Sequence, residues 1–151
     1  MTETLPPDVV ARINDIIIGG PFGDHVGMSL DKVAVDHAVV RMHGEPHIMN
    51  TLGIVHGGAT ATLLDTAATA AAWATPDAKA TTRGTTVALA INYIGAGRQG
   101  DLIAEGRVVS RGGTLTIVDV VAHDAAGRLV AKAQATYKLD LARDKRLEGG
   151  G

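Results

Sequence analysis

The stretch Asn50–Trp73, NTLGIVHGGATATLLDTAATAAAW, decides how the rest of the chain is read. It opens with polar residues, turns at His56-Gly57-Gly58, and runs into small and aliphatic residues interrupted by one charge, Asp65. Alanine and leucine are strong helix formers, so the segment predicts a helix from about Gly57 or Gly58 to Trp73. At helical spacing Gly58, Ala61, Asp65, Ala68 and Ala72 share one stripe, while Leu64, Ala67 and Ala71 line another face. No face is fully solvated, the pattern of a buried helix. A lone carboxylate in such an interior is costly unless it is hydrogen-bonded or wet. Asp65 is therefore either paired for structural reasons or set in a cavity where it does chemistry.

Upstream, Pro6, Pro7 and Asp8 open a second helix with Val9, Ile13, Ile16 and Ile17 on one side, ended by Gly19-Gly20. Gly19 to Gly27 reads as a glycine-rich loop that lacks the spacing of a phosphate loop. The β-branched residues between Met28 and Met42 predict two short strands turning near Asp36–His37, followed by an aperiodic loop, His43–Leu52. Downstream, Thr75–Gly84 is a loop. In Thr85–Ile94, Val87, Leu89, Ile91 and Tyr93 fall on one face and Thr86, Ala88, Ala90 and Asn92 on the other. Gly95–Gly100 is a turn, and strands follow at Leu102–Ser110 and Leu115–His123 around a Gly112-Gly113 hairpin. Leu129–Leu141 alternates best, with Leu129, Ala131, Ala133, Ala135, Tyr137, Leu139 and Leu141 inward and Lys132, Gln134, Thr136, Lys138 and Asp140 outward. Short turns imply an antiparallel sheet. An apolar helix beside one sheet implies an α+β fold in which five to six strands curl around the helix. The long last strand offers an edge for pairing with another subunit.

The 151 residues suit a single domain with an ordered core over about residues 6–142, a frayed start, and disordered last residues ending in Glu148-Gly-Gly-Gly. A formal net charge of −2 gives no electrostatic ground for nucleic acid or an anionic membrane surface. With no cysteine, thiol nucleophiles, disulfides and thiolate metal sites are excluded. MTETLPPD lacks the form of a signal peptide and no segment reaches membrane-spanning length, so the expectation is a cytoplasmic protein. His43, Glu45, His47 and His56 cluster in sequence, but Gly44 and Pro46 argue against the helix that metal-binding spacing needs. No metal is expected.

Asn50-x-Leu52-Gly53-x-x-His56-Gly57-Gly58, with Asp65 seven residues after Gly58, resembles the hotdog-fold acyl-CoA thioesterases of the PaaI type, the group that includes acyl-CoA thioesterase 13. The resemblance runs from about Gly23 to about Leu139, through Asn92-Tyr93 and Asp124-x-x-Gly127-x-Leu129-Val130-Ala131. It implies hydrolysis of acyl-CoA without a cofactor. The Gly57 N–H at the helix start would serve as oxyanion donor, and Asp65 as general base or nucleophile. Asn50 would bind the thioester carbonyl or the water, and His56 would hold the loop or touch the thioester. Thr86, or else Thr85, would hold the attacking water. Gly58 is a further binding candidate, and Arg107 and Arg111 are candidates for CoA phosphates because guanidinium suits phosphate. The resemblance also implies a homodimer, with a dimer of dimers as the extension. Two alternatives stay open. One is a hotdog-fold enoyl-CoA hydratase or dehydratase, disfavoured by Thr60 and Thr62 where an earlier acid would stand. The other is a non-catalytic acyl-CoA-binding oligomer.

Overall fold

In the computed structural model, which describes residues 3–98, 100–141 and 149, the chain opens with α1, Pro7–Arg12. Leu5 packs against the core ahead of α1. The disorder expected at the end falls, Gly149 apart, on residues outside those described. α1 runs into a π-helical turn, Ile13–Ile18, ended by Gly19. The wider turn brings Ile13 and Ile18 to the same side, both buried, and leaves Ile16 72% exposed. A regular 3.6-residue pitch had placed Ile16 inward; the change of pitch corrects that. The segment expected as a glycine-rich loop contains a short helix, α2, Gly20–His25, with Pro21 in its first turn.

The hairpin of β1 (Met28–Ala34) and β2 (His37–Met42) turns through Asp36, at a φ of 60° that an aspartate tolerates better than most residues. After a 3₁₀ turn at Pro46–Ile48 comes the long helix α3, Gly57–Trp73. Four strands follow: β3 (Gly84–Tyr93), β4 (Leu102–Arg111), β5 (Leu115–Asp124) and β6 (Leu129–Leu139). All pair antiparallel in one six-stranded sheet of order β1-β2-β4-β5-β6-β3. Two expectations are corrected here. Gly95–Gly100 does not join neighbouring strands, and β6 is not an edge but lies between β5 and β3. Alternation specifies which side of a strand faces the core, not which strand lies beside it. The free edge beyond β6 is β3, carrying exposed Val87 and Tyr93.

α3 lies in the concave face of this sheet and packs against all six strands. Small side chains permit the approach. Ala67, Ala68, Ala70, Ala71 and Ala72 are fully buried, and a Cβ at Gly106 of β4 would stand 2.6 Å from the Ala67 carbonyl oxygen. The C-terminal end of α3 is tied down from outside. Arg111 donates to Ala72 O at 3.0 Å, and the Asp36 N–H donates to Ala74 O at 2.8 Å, satisfying carbonyls that a helix end leaves orphaned. The burial is not uniform along α3. Ala61, Thr62, Asp65, Thr66 and Thr69 form a half-exposed strip on a helix expected to be enclosed.

Candidate active site

The N-terminus of α3 is built by the loop that precedes it. Asn50 closes that loop: its Oδ1 accepts the N–H groups of Leu52 (2.9 Å) and Ile54 (3.3 Å). This local turn chemistry leaves only the side-chain NH₂ of Asn50 to reach a ligand. His56 is the helix cap. Its Nδ1 accepts from the Gly58 N–H at 2.9 Å, so the neutral ring carries its proton on Nε2, directed outward. That bond consumes the Gly58 donor. The Gly57 N–H has no acceptor among the described residues and sits at the positive end of the helix dipole. The Gly57 carbonyl accepts the Tyr93 hydroxyl at 3.1 Å, which fastens the first turn of α3 to the end of β3. A Cβ at Gly57 would meet only the Tyr93 ring, at 3.6 Å, so the protein itself does not demand glycine there.

Asp65 stands eight residues along α3 from Gly57, roughly 12 Å at 1.5 Å per residue. Its Oδ1 accepts a hydrogen bond from the Thr86 hydroxyl at 2.7 Å, and it is only half buried. The strand reading had placed Thr86 on the face opposite Leu89 and Ile91. The β3–β6 register slips between Thr86 and Ala88, and the extra residue, Val87, is 57% exposed. The bulge restores parity, so Thr86, Leu89 and Ile91 all lean inward. Thr85 is exposed, with its hydroxyl 3.5 Å from the Thr86 carbonyl, and takes no part beside Asp65.

The two arginines do not join this group. Arg111 donates to Asp36 Oδ1 at 2.6 and 2.9 Å as well as to the end of α3, so a CoA phosphate would have to displace Asp36. Arg107 pairs with Glu105 on β4. Both flank Gly106, whose missing Cβ faces α3, so by strand alternation they lie on the outer side of the sheet. The candidate metal-binding histidines are also scattered. His47 bonds His25 O at 2.6 Å, His43 faces Asp101 at 3.5 Å, and His56 caps α3. Among the described residues no three metal-ligating side chains converge.

Sequence reasoning passed over Tyr137 and Trp73 as site residues. The Trp73 indole N–H donates to the buried Tyr137 hydroxyl at 2.9 Å. Burial pushes the Tyr137 phenol above its ordinary value, the Trp73 bond opposes this, and the nearby charge of Asp65 adds to the rise. The inward parity of Tyr137 was visible in the sequence, but its pairing with Thr86 was not.

Comparison with known proteins now places the chain. Residues 52–131 match the thioesterase superfamily. Human acyl-coenzyme A thioesterase 13 is 30% identical over 114 residues, covering 74% of this chain and 79% of that protein. A thioesterase family protein from Silicibacter pomeroyi superposes with a TM-score of 0.80 at 22% identity, over 87% of this chain and 97% of that one. A Streptococcus pneumoniae protein described as a hypothetical thioesterase and solved with coenzyme A gives a TM-score of 0.67 at 28% identity, over 74% and 84%. A six-stranded antiparallel sheet wrapped on one long helix is the hotdog fold of these relatives. The chain belongs to the thioesterase superfamily. No helix among the described residues is long and apolar enough to cross a membrane.

Proposed function

We propose that this protein hydrolyses acyl-CoA thioesters, with the Asp65 carboxylate as general base or nucleophile and the Gly57 N–H as oxyanion donor. The observation that carries the reading is the half-exposed Asp65 carboxylate, held by Thr86 at 2.7 Å beside the free edge of the sheet. A carboxylate so placed can take a proton from water or attack the carbonyl carbon. An unused N–H at a helix start can hold the oxygen that becomes negative, and one such donor is worth roughly 10²–10³ in rate. The relatives' names, an acyl-CoA thioesterase and a protein solved with coenzyme A, supply the substrate class. A hydratase reading finds no acid early on α3: Thr60 is buried, and the Thr62 hydroxyl donates to Gly58 O at 2.9 Å.

Within one chain the donor and the carboxylate are too far apart to act on one carbonyl. A second copy with its α3 antiparallel would bring its Asp65 beside this Gly57, completing two equivalent sites across a two-fold axis. The exposed β3 edge and the half-open strip of α3 lie where that copy would pack, and a dimer of dimers is the natural extension. The test is release of CoA thiol from a panel of acyl-CoAs, followed with a chromogenic disulfide. Asp65→Asn should lower turnover by about 10²–10⁴-fold while remaining folded, and a folded Asp65→Asn protein with wild-type turnover refutes the assignment. Asn50→Ala and Asp65→Ala chains, each inactive, should regain about a quarter of wild-type sites when refolded together in equal amounts. If exchange of subunits is verified and no activity returns, the site is not shared.

A further inference from the structure

We infer that Tyr137, through its hydroxyl bond to Trp73, is a positioning residue that sets β3 against α3 so that Thr86 meets Asp65. The inference rests on the proposed role of Asp65 and adds to it a residue on another strand. Tyr137 of β6 is the register partner of Thr86 on β3, so the two hydroxyl-bearing side chains stand side by side on the inner face of the sheet. Each is linked to α3. Thr86 donates to Asp65 at 2.7 Å, and Tyr137 accepts from Trp73 at 2.9 Å, eight residues further along the same helix. Two points roughly 12 Å apart fix both the rotation and the slide of a helix over a sheet, where one would leave a pivot.

The third element is Gly84, the first residue of β3. A Cβ there would lie 2.6 Å from Tyr137 Cε1 and 2.9 Å from its hydroxyl oxygen, so the Tyr137 ring lies closely against the start of β3. Two residues on comes Thr86, and the bulge at Val87 follows at once. β3 is an edge strand, held by β6 on one side only, and at the bulge the ladder is locally interrupted, so the sheet itself holds this stretch less than an inner strand. The Tyr137 side chain adds a hold from within. The phenol is 4% exposed and Trp73 8%, so water does not compete for their bond. The effect of Tyr137 on the reaction passes through Thr86 and Asp65.

The experiment is a double-mutant cycle on acyl-CoA turnover with Tyr137→Phe and Thr86→Val. Tyr137→Phe keeps the ring and its fit at Gly84 and deletes the hydroxyl. It should lower kcat by about 5-fold with KM within about 2-fold, and in the Thr86→Val background its effect should shrink below about 2-fold, as for residues acting through one contact. Trp73→Phe breaks the same bond from the helix side and should show the same loss and the same coupling. It also serves if Tyr137→Phe is poorly folded. Trp73 is the only tryptophan, so its emission reports directly whether the bond is lost in Tyr137→Phe. Equal losses in both backgrounds, an effect on KM alone, or unchanged kcat would overturn the inference and leave Tyr137 a packing residue. Asp65→Asn assayed in parallel separates the two levels: if it turns over normally the functional reading itself falls, whereas an inactive Asp65→Asn with an additive cycle removes only the role of Tyr137.

Discussion

Replacing Thr86 by valine is the sharpest single perturbation of this site. The side chain keeps its β-branched shape and strand preference, so β3 is retained, and only the hydroxyl that bonds Asp65 Oδ1 at 2.7 Å is lost. A hydrogen bond to a charged group is worth about 1.5–3 kcal/mol, and for a half-exposed carboxylate the lower end applies. Without that bond Asp65 is freed to rotate, and a misplacement of about 1 Å in a reacting group costs roughly 10²-fold. A partial loss of position is expected, with a fall of about 10-fold in kcat/KM, equivalent to about 1.4 kcal/mol. Thr86→Ser, which keeps the hydroxyl, should stay within about 3-fold, and Thr85→Val should be silent because its hydroxyl lies away from Asp65. The assay is steady-state thiol release on the best acyl-CoA, with thermal unfolding as the control for folding. A rise in kcat, or a Thr85→Val loss as large as that of Thr86→Val, would refute the reasoning.

Three other outcomes are expected. Gly57→Ala should fold normally, since a Cβ meets only the Tyr93 ring at 3.6 Å, and Gly57→Val should lose turnover strongly by crowding the substrate oxygen; unchanged turnover in Gly57→Val would move the oxyanion donor elsewhere. Arg111→Gln should lower the thermal midpoint by releasing Asp36 and the end of α3, yet leave KM for acyl-CoA unchanged in the folded protein, and a KM rise would return Arg111 to the substrate site. Acid should destabilise the fold through Asp124, whose carboxyl is held below its ordinary value chiefly by the Arg128 N–H, against the cost of burial, with the Arg128 guanidinium and the Ala126 N–H assisting. Because the folded value lies below the unfolded one, this contribution is complete above about pH 4 and is lost as pH falls through the folded value. Midpoints measured from about pH 6 to about pH 3 should therefore fall less steeply in Asp124→Asn than in wild type.

What the sequence determined by itself follows from local rules. The limits of α3 were legible because alanine and leucine propensity and the turn at His56-Gly57-Gly58 act within a few residues of one another. The inward face of β6 was legible because a strand repeats every two residues, whatever lies beside it. The placement of Asn50 before α3, Gly57 at its start and Asp65 along it was legible because all three follow from where the helix begins. Tertiary structure alone decided the rest. Strand order could not be read, since β3 pairs with β6 although both β4 and β5 intervene in the chain, and no local preference selects that neighbour. The inward turn of Thr86 depends on a bulge that exists only because β6 offers one residue fewer than β3 at that point. Arg111 was claimed by Asp36, seventy-five residues away, before any phosphate could be. Tyr137 stands beside Thr86 because folding set it between Trp73 and Gly84, and a hydroxyl has no role until its partners stand within hydrogen-bonding reach.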